Sequence, residues 1–376
     1  MDPRGFCGKG AETRMVSSVK RERERAVLSR TYRLQQPGRL EEVRVERPFR
    51  EGEVVVEPFL ASICQADLRY FSGQRRKEAL AKKLPMALIH EGIGRVVQSG
   101  GSRLRPGDRV VIVPNLPGCG REDCPACSRG IGTNYCLHSR FLGSGTDGIA
   151  QSRIVLPVEC AIPSENRIPD EILVLAELCS VSYHAIRRVD RLQEERRVVV
   201  FGDGPVGYLT AAMLHHIFGM GPERLWVFGA VPERLEQFTF ARRILVGECD
   251  FRPLPKAGVA FECTGGHFSR EAINQAIEVL NPGGVLVLMG VSEEPVPVNT
   301  RDVLEKGITL IGSSRSSARD YPPVLKAMED PACQRTLSRL LPDQRTPVHS
   351  VADLTAALDR ASRHKAWKKT LLEFHW

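Results

Sequence analysis

The chain has 376 residues, of which 42% are hydrophobic and 26% charged, with a formal net charge of +8. That length accommodates about two domains, each with its own core. Its longest apolar runs, such as Val198–Phe201 and Val285–Met289, are far too short to cross a bilayer, and no secretory leader is evident, so a cytoplasmic protein without a membrane partner is expected.

Residues 1–26 read as an extension that carries the charge run Lys20–Arg25, and Met15 offers an alternative start. From 27 to 168 the sequence predicts short strands separated by Gly- and Pro-containing turns: Glu53–Val56 with Pro58 after it, Gly94–Val97, Arg109–Val113 and Ile154–Leu156. The character changes after Pro169. Ile172, Leu175, Leu178 and Val181 recur at helical spacing. Apolar strands then alternate with helices: Val198–Phe201, Leu225–Phe228, Val259–Cys263, Val285–Met289 and Ile308–Ile311. Between two of them Ala272, Ile273, Ala276, Ile277 and Leu280 share a helix face that Asn281-Pro282-Gly283-Gly284 closes. Fully apolar strands alternating with helices predict an α/β fold, a doubly wound parallel sheet beside a mostly β region. After Gly312 the chain is mixed again and ends in the apolar-basic segment Trp367–Trp376.

Gly202–Gly207 reads GDGPVG between an apolar strand and a helical pattern. Gly202 suits the tight turn, Gly204 lets a pyrophosphate approach the backbone, and Gly207 permits close packing of the helix opened by Pro205 and Val206. The free N–H groups of that helix then face the phosphate. The next strand ends in Gly229-Ala230-Val231 where NAD enzymes place a carboxylate on the ribose 2′-hydroxyl. Its absence, with Arg234 nearby, favours NADP(H). Cys119, Cys124, Cys127 and Cys136 lie in one Gly/Pro-rich segment and suit a structural zinc, although the gap from Cys119 to Cys124 is wider than the commonest spacing. Cys64 and His90 supply a soft and an imidazole ligand for a second zinc, with Glu91 and Glu177 as carboxylate candidates. Asp67 is the candidate that holds the His90 tautomer. Clustered thiols in such a chain point to metal rather than to disulfides. The positive charge is spread out, with 6% aromatic residues and no nucleic-acid module, so an anionic small molecule is the better partner.

In this order the parts resemble the zinc-dependent medium-chain dehydrogenase/reductase superfamily, over residues 27–376. The resemblance implies a GroES-like catalytic domain at 27–168, a Rossmann NADP-binding domain at 169–312, and a return to the catalytic domain at 313–376. It assigns Cys64, His90 and Glu91 to the catalytic zinc, Glu177 to a carboxylate at or near that metal, and the four cysteines to the structural zinc. Within the superfamily, Cys64–Gly94, FECTGG (Phe261–Gly266), GITLIGSSRSS (Gly307–Ser317) and WKKT (Trp367–Thr370) look like the ribulose-5-phosphate reductases, also called ribitol-5-phosphate dehydrogenases. That similarity implies NADPH-linked reduction of D-ribulose 5-phosphate for CDP-ribitol, teichoic acid or capsule synthesis. It further implies a ribitol-5-phosphate cytidylyltransferase as functional partner, and a homodimer or homotetramer. Ala66 and Arg69 stand where many relatives carry a Ser/Thr and His proton relay, which leaves water, Glu91 or Tyr70 to deliver the proton.

Between the metal motifs lies a basic segment: Arg69, Arg75, Arg76, Lys77, Lys82 and Lys83. The three lysines read as a solvated helix face. Arg69, with Arg75 or Arg76 and Arg315, is expected to hold the 5-phosphate. Two rivals are weighed against this reading. One is a sorbitol, xylitol or threonine dehydrogenase, which gains little from clustered cations; the other is a non-catalytic NADPH-binding zinc protein.

Overall fold

Alternation along one strand sets the frame. In the computed structural model, which describes residues 25–364 and 366–376, Val198–Phe201 is buried at every position. Val198 and Val200 face one hydrophobic cluster, Val199 and Phe201 another, as a strand covered on both sides requires. This strand lies inside a six-stranded, all-parallel sheet. Its order is Arg242–Leu245, Leu225–Gly229, Val198–Phe201, Ala257–Glu262, Leu280–Leu288 and Thr309–Gly312. The doubly wound α/β arrangement is therefore present. Arg242–Leu245 is an edge strand that the sequence pattern does not announce, because two of its four residues are exposed arginines. The helical spacing at 172–181 resolves into two helices, Asp170–Leu173 and Ala176–Ile186, with Glu177 in the first turn of the second.

The remaining strands form the mostly β part. Glu53–Ser62 is central to a seven-stranded sheet, paired antiparallel with Glu91–Ser99 on one side and Leu371–Phe374 on the other. The strand near the end of the chain is thus built into a sheet formed by residues near its start. Trp376 stacks on Phe374 at 4.8 Å, and its indole N–H donates to the Pro58 carbonyl at 2.7 Å. One large core runs from this sheet, through Leu60, Ile93 and Ile112, to Val200, Tyr208 and Leu214 of the parallel part. The expected extension, with Met15, lies outside the described residues, except that the first strand begins at Arg25. Among the described residues no helix is long and apolar enough to cross a membrane.

Candidate active site

Cys64 caps the helix Gln65–Phe71, and His90 and Glu91 meet it from the start of the strand Glu91–Ser99. One ligand atom from each of the three lies within 4.8 Å of the others. Asp67, fully buried in the first turn of that helix, organises this junction. Its carboxylate accepts from the backbone N–H of Cys64 at 2.9 Å and of Ile89 at 3.0 Å, and lies 3.3 Å from His90 Nδ1. Ile89 has φ +70°, a costly conformation for a β-branched residue, and the Asp67 hydrogen bond helps hold it there. Burial alone would raise the Asp67 pKa, but His90 and the two N–H groups outweigh it and hold the carboxyl below its ordinary value.

Glu91 is divided between two roles. Oε2 meets the Lys369 ammonium at 2.7 Å and accepts from the Ser62 hydroxyl, while Oε1 is buried with no partner. An orphaned carboxylate oxygen beside a thiol and an imidazole fits a zinc ligand set. Glu177 is buried nearby but is not one of the three clustered ligands. Burial pushes its carboxyl up to about 7; His90 opposes the shift and Glu91 adds to it.

Cys119, Cys124, Cys127 and Cys136 also bring all four sulfurs within 4.8 Å of one another. Cys119 and Cys127 are 3.8 Å apart, as are Cys124 and Cys136. A zinc–sulfur bond of about 2.3 Å gives a tetrahedral edge close to these separations. The wide Cys119–Cys124 gap is taken up by a turn at Gly120, whose φ of +65° suits glycine. Backbone N–H groups of Cys119 and His138 donate to Cys136 Sγ at 3.3 Å, which favours the thiolate.

The glycine loop opens the helix Pro205–His216. A Cβ at Gly207 would collide with the Gly202 carbonyl, whereas one at Gly204 would meet open space. A closed floor beneath an open mouth fits a pyrophosphate at the helix N-terminus. A carboxylate does reach the end of the neighbouring strand, but it comes from the loop itself. Asp203 accepts from the N–H groups of Ala230 and Val231 at 2.7 Å and lies 3.7 Å from the Arg234 guanidinium. A side chain at Gly229 would strike Asp203 and Leu235.

Arginines approach the first cluster from two directions. Arg69 follows Cys64 on the same helix, and Arg69, Arg75 and Arg76 all face Glu293, at 3.8, 2.9 and 4.0 Å. Arg315, with φ +62°, lays its guanidinium over Phe141 at 4.4 Å, and Phe141 packs 5.3 Å from the His90 ring. Arg75 stacks on Tyr70 at 4.8 Å, and the Tyr70 hydroxyl lies 3.0 Å from Lys83 Nζ and 3.2 Å from Ser144 Oγ. Lys83 is thus not the solvated side chain expected of it. Burial would raise the Tyr70 pKa, but the Lys83 ammonium, with Ser144 and Arg75, outweighs it and holds the hydroxyl below its ordinary value.

Comparison with known proteins agrees with this arrangement. The alcohol dehydrogenase GroES-like domain family matches residues 50–170, and the zinc-binding dehydrogenase family matches 254–330. Ribulose-5-phosphate reductase 1 of Staphylococcus aureus is 37% identical, covering 93% of this chain and 99% of that one. The ribulose-5-phosphate reductase of Bacillus spizizenii is 36% identical with the same coverage. Among solved structures, S. aureus TarJ in complex with NADPH superposes with a TM-score of 0.79 at 34% identity, over 93% of this chain and 100% of that one. The chain belongs to the zinc-dependent medium-chain dehydrogenase/reductases.

Beyond the expected motifs of a medium-chain dehydrogenase/reductase, the structure adds Ser62 and Lys369 on Glu91, Lys83 and Ser144 on Tyr70, Asp203 beside Arg234, and Glu293 among the arginines. A lone acid or lysine carries no periodicity. WKKT (Trp367–Thr370) held the one available signal, since Lys369 falls within it.

Proposed function

We propose that this protein is a zinc-dependent, NADPH-linked reductase that converts D-ribulose 5-phosphate to D-ribitol 5-phosphate. The observation that carries the reading is the set of arginines beside the Cys64–His90–Glu91 cluster: a neutral polyol needs no such charge, whereas a sugar phosphate does. Near-full-length similarity to proteins named ribulose-5-phosphate reductases supports it, as does a 34%-identical structure that holds NADPH.

When bound, zinc supplies Lewis acidity and the nicotinamide supplies the hydride. Cys64, His90 and Glu91 hold the ion, with Glu177 as a neighbouring carboxylate. Asp67 engages His90 Nδ1 and so leaves Nε2 free to ligate. Arg69, Arg75, Arg76 and Arg315 fix the 5-phosphate and thereby aim C2 of the ketose. Gly202, Gly204, Pro205, Val206 and Gly207 seat the pyrophosphate, while Arg234, which shares the end of the Gly229 strand with Asp203, accommodates the 2′-phosphate. Tyr70 Oη, polarised by Lys83, holds the proton that completes the product hydroxyl. Cys119, Cys124, Cys127 and Cys136 hold the structural zinc.

The same reading divides the chain into a catalytic unit at 27–168, a cofactor unit at 169–312 and a return at 313–376. It places the enzyme in the cytoplasm as a homodimer or homotetramer, ahead of a ribitol-5-phosphate cytidylyltransferase in teichoic acid or capsule synthesis. NADPH oxidation with ribulose 5-phosphate and with unphosphorylated ribulose, run with metal analysis, tests it. The phosphorylated ketose should be reduced far faster, and Arg69→Ala should raise its KM about tenfold or more. Equal rates on both ketoses, or equal KM changes, would sink the assignment.

A further inference from the structure

Arg69, Arg75 and Arg76 come from the β-rich part of the chain, yet the one carboxylate within 4.0 Å of them among the described residues is Glu293. It stands in the loop between the parallel-sheet strand Leu280–Leu288 and the helix Thr300–Lys306. One negative charge therefore answers three positive ones, and it does so unevenly. Only Arg75 makes a hydrogen-bonded pair with it, at 2.9 Å, while Arg69 and Arg76 remain at 3.8 and 4.0 Å. Nε of Arg69 and Nε of Arg75 are both buried without an acceptor. Burial lowers the pKa of Arg69, and repulsion from Arg75 adds to the effect; Arg315 is lowered the same way, with Arg75 again contributing. The cluster is thus short of negative charge and of acceptors. A phosphate dianion, with three terminal oxygens, offers more of both than a carboxylate.

We propose that Glu293 is a built-in anionic competitor for the arginine cluster, displaced from Arg75 when the phosphate of the substrate binds. This rests on the sugar-phosphate reading above and makes Glu293 the residue that sets how tightly the cluster takes a phosphate. An unphosphorylated ketose offers the cluster no anion, so Glu293 stays paired with Arg75 when one binds. A ketose phosphate replaces one weak anion with a stronger one. Arg69 shares the link, since its Nη1 also donates to the Val291 carbonyl at 3.4 Å.

Glu293→Gln keeps the shape of the side chain and removes its charge. Titration calorimetry with inorganic phosphate on the zinc-loaded protein should show binding tightened by roughly fivefold relative to the parent, the worth of one partly exposed ion pair. Glu293→Ala should shift binding in the same direction, and Arg75→Ala should weaken it. In steady-state assays Glu293→Gln should lower the KM for ribulose 5-phosphate relative to that for ribulose. Weaker or unchanged phosphate binding in both Glu293 variants overturns the proposal, as does a raised KM for the phosphorylated ketose, because Glu293 would then be aligning the arginines. If the parent reduces no ketose phosphate, the functional reading fails, while the phosphate titration still decides the role of Glu293.

Discussion

Two clusters of side chains, Cys64–His90–Glu91 and the four cysteines, can each enclose a metal ion, and their surroundings differ. Cys64 sits at a junction of strand and helix fixed by the large core, with Asp67 bonding the backbone on both sides of the site. The four-cysteine lobe has little besides itself: Cys124, Ala126 and Cys136 form its own small buried cluster, with Cys119, Cys127 and Tyr135 against it. In the first case the fold arranges the ligands, and in the second the ligands arrange the fold. A buried chain joins the two. Asn134 of the lobe lies 3.2 Å from His184 Nε2, His184 Nδ1 lies 3.0 Å from Asp320, and Asp320 also accepts from Arg187. His184 lies on the helix Ala176–Ile186 and Arg187 caps it, and Glu177 is in its first turn, so the lobe is braced against the element that carries Glu177.

The sharpest separation comes from paired cysteine variants. Cys64→Ser should reduce turnover by about 10³-fold or more while leaving the melting temperature and NADPH fluorescence titration nearly unchanged. Cys124→Ser should do the reverse, losing one zinc per chain and opening 119–136 to proteolysis while retaining measurable activity. If both variants behaved alike, the contrast would be wrong.

Next in size is Lys369→Met, which in zinc-free protein leaves the Glu91 carboxylate buried with no cation. A loss of about 3–5 kcal/mol in urea unfolding is expected. Asp320→Asn follows, at about 3 kcal/mol near neutral pH, since His184 and Arg187 lose their shared carboxylate. Burial would raise the Asp320 pKa, but His184 and Arg187 outweigh it and hold it well below the ordinary range. Its stabilisation is therefore complete above the unfolded carboxylate value of about 4 and disappears as the pH falls below that. The stability of the parent, followed from pH 6 downward, should fall below that point, and Asp320→Asn should flatten the decline. Smallest is Asp67→Asn, expected to weaken zinc at the Cys64 cluster by about 10- to 100-fold in a chelator competition, with the lobe zinc unaffected.

The parallel sheet was legible because fully apolar strands alternating with helices leave few other solutions, and the glycine loop because its backbone constraints are local. Both ligand clusters were legible for a related reason: cysteine and histidine are rare, and the four cysteines fall close together. The four sulfurs do meet, despite the wide Cys119–Cys124 gap. Partners drawn from distant segments were not legible. Nothing near Glu91 foretells Lys369, and nothing near Arg75 foretells Glu293, because periodicity records which face an element buries and not what arrives to cover it. Arg242–Leu245 escaped for the opposite reason, since an edge strand with solvent on it need not be apolar. Lys83 belongs to the basic run that reads as a solvated helix face, but its ammonium turns inward to Tyr70 and Ser144.

The antiparallel pairing of Leu371–Phe374 with Glu53–Ser62 also has a bearing on time. A ribosome releases Glu91 long before it reaches Lys369, so the nascent chain carries a carboxylate whose burial has no cation to match it. The surrounding strands can pair early, but the pocket around Glu91 has to stay wet until the late strand docks and brings the ammonium with it. Closing so long a loop is slow compared with forming the local strands. The Cys64–His90–Glu91 cluster is therefore completed only when a segment far from it in sequence has docked.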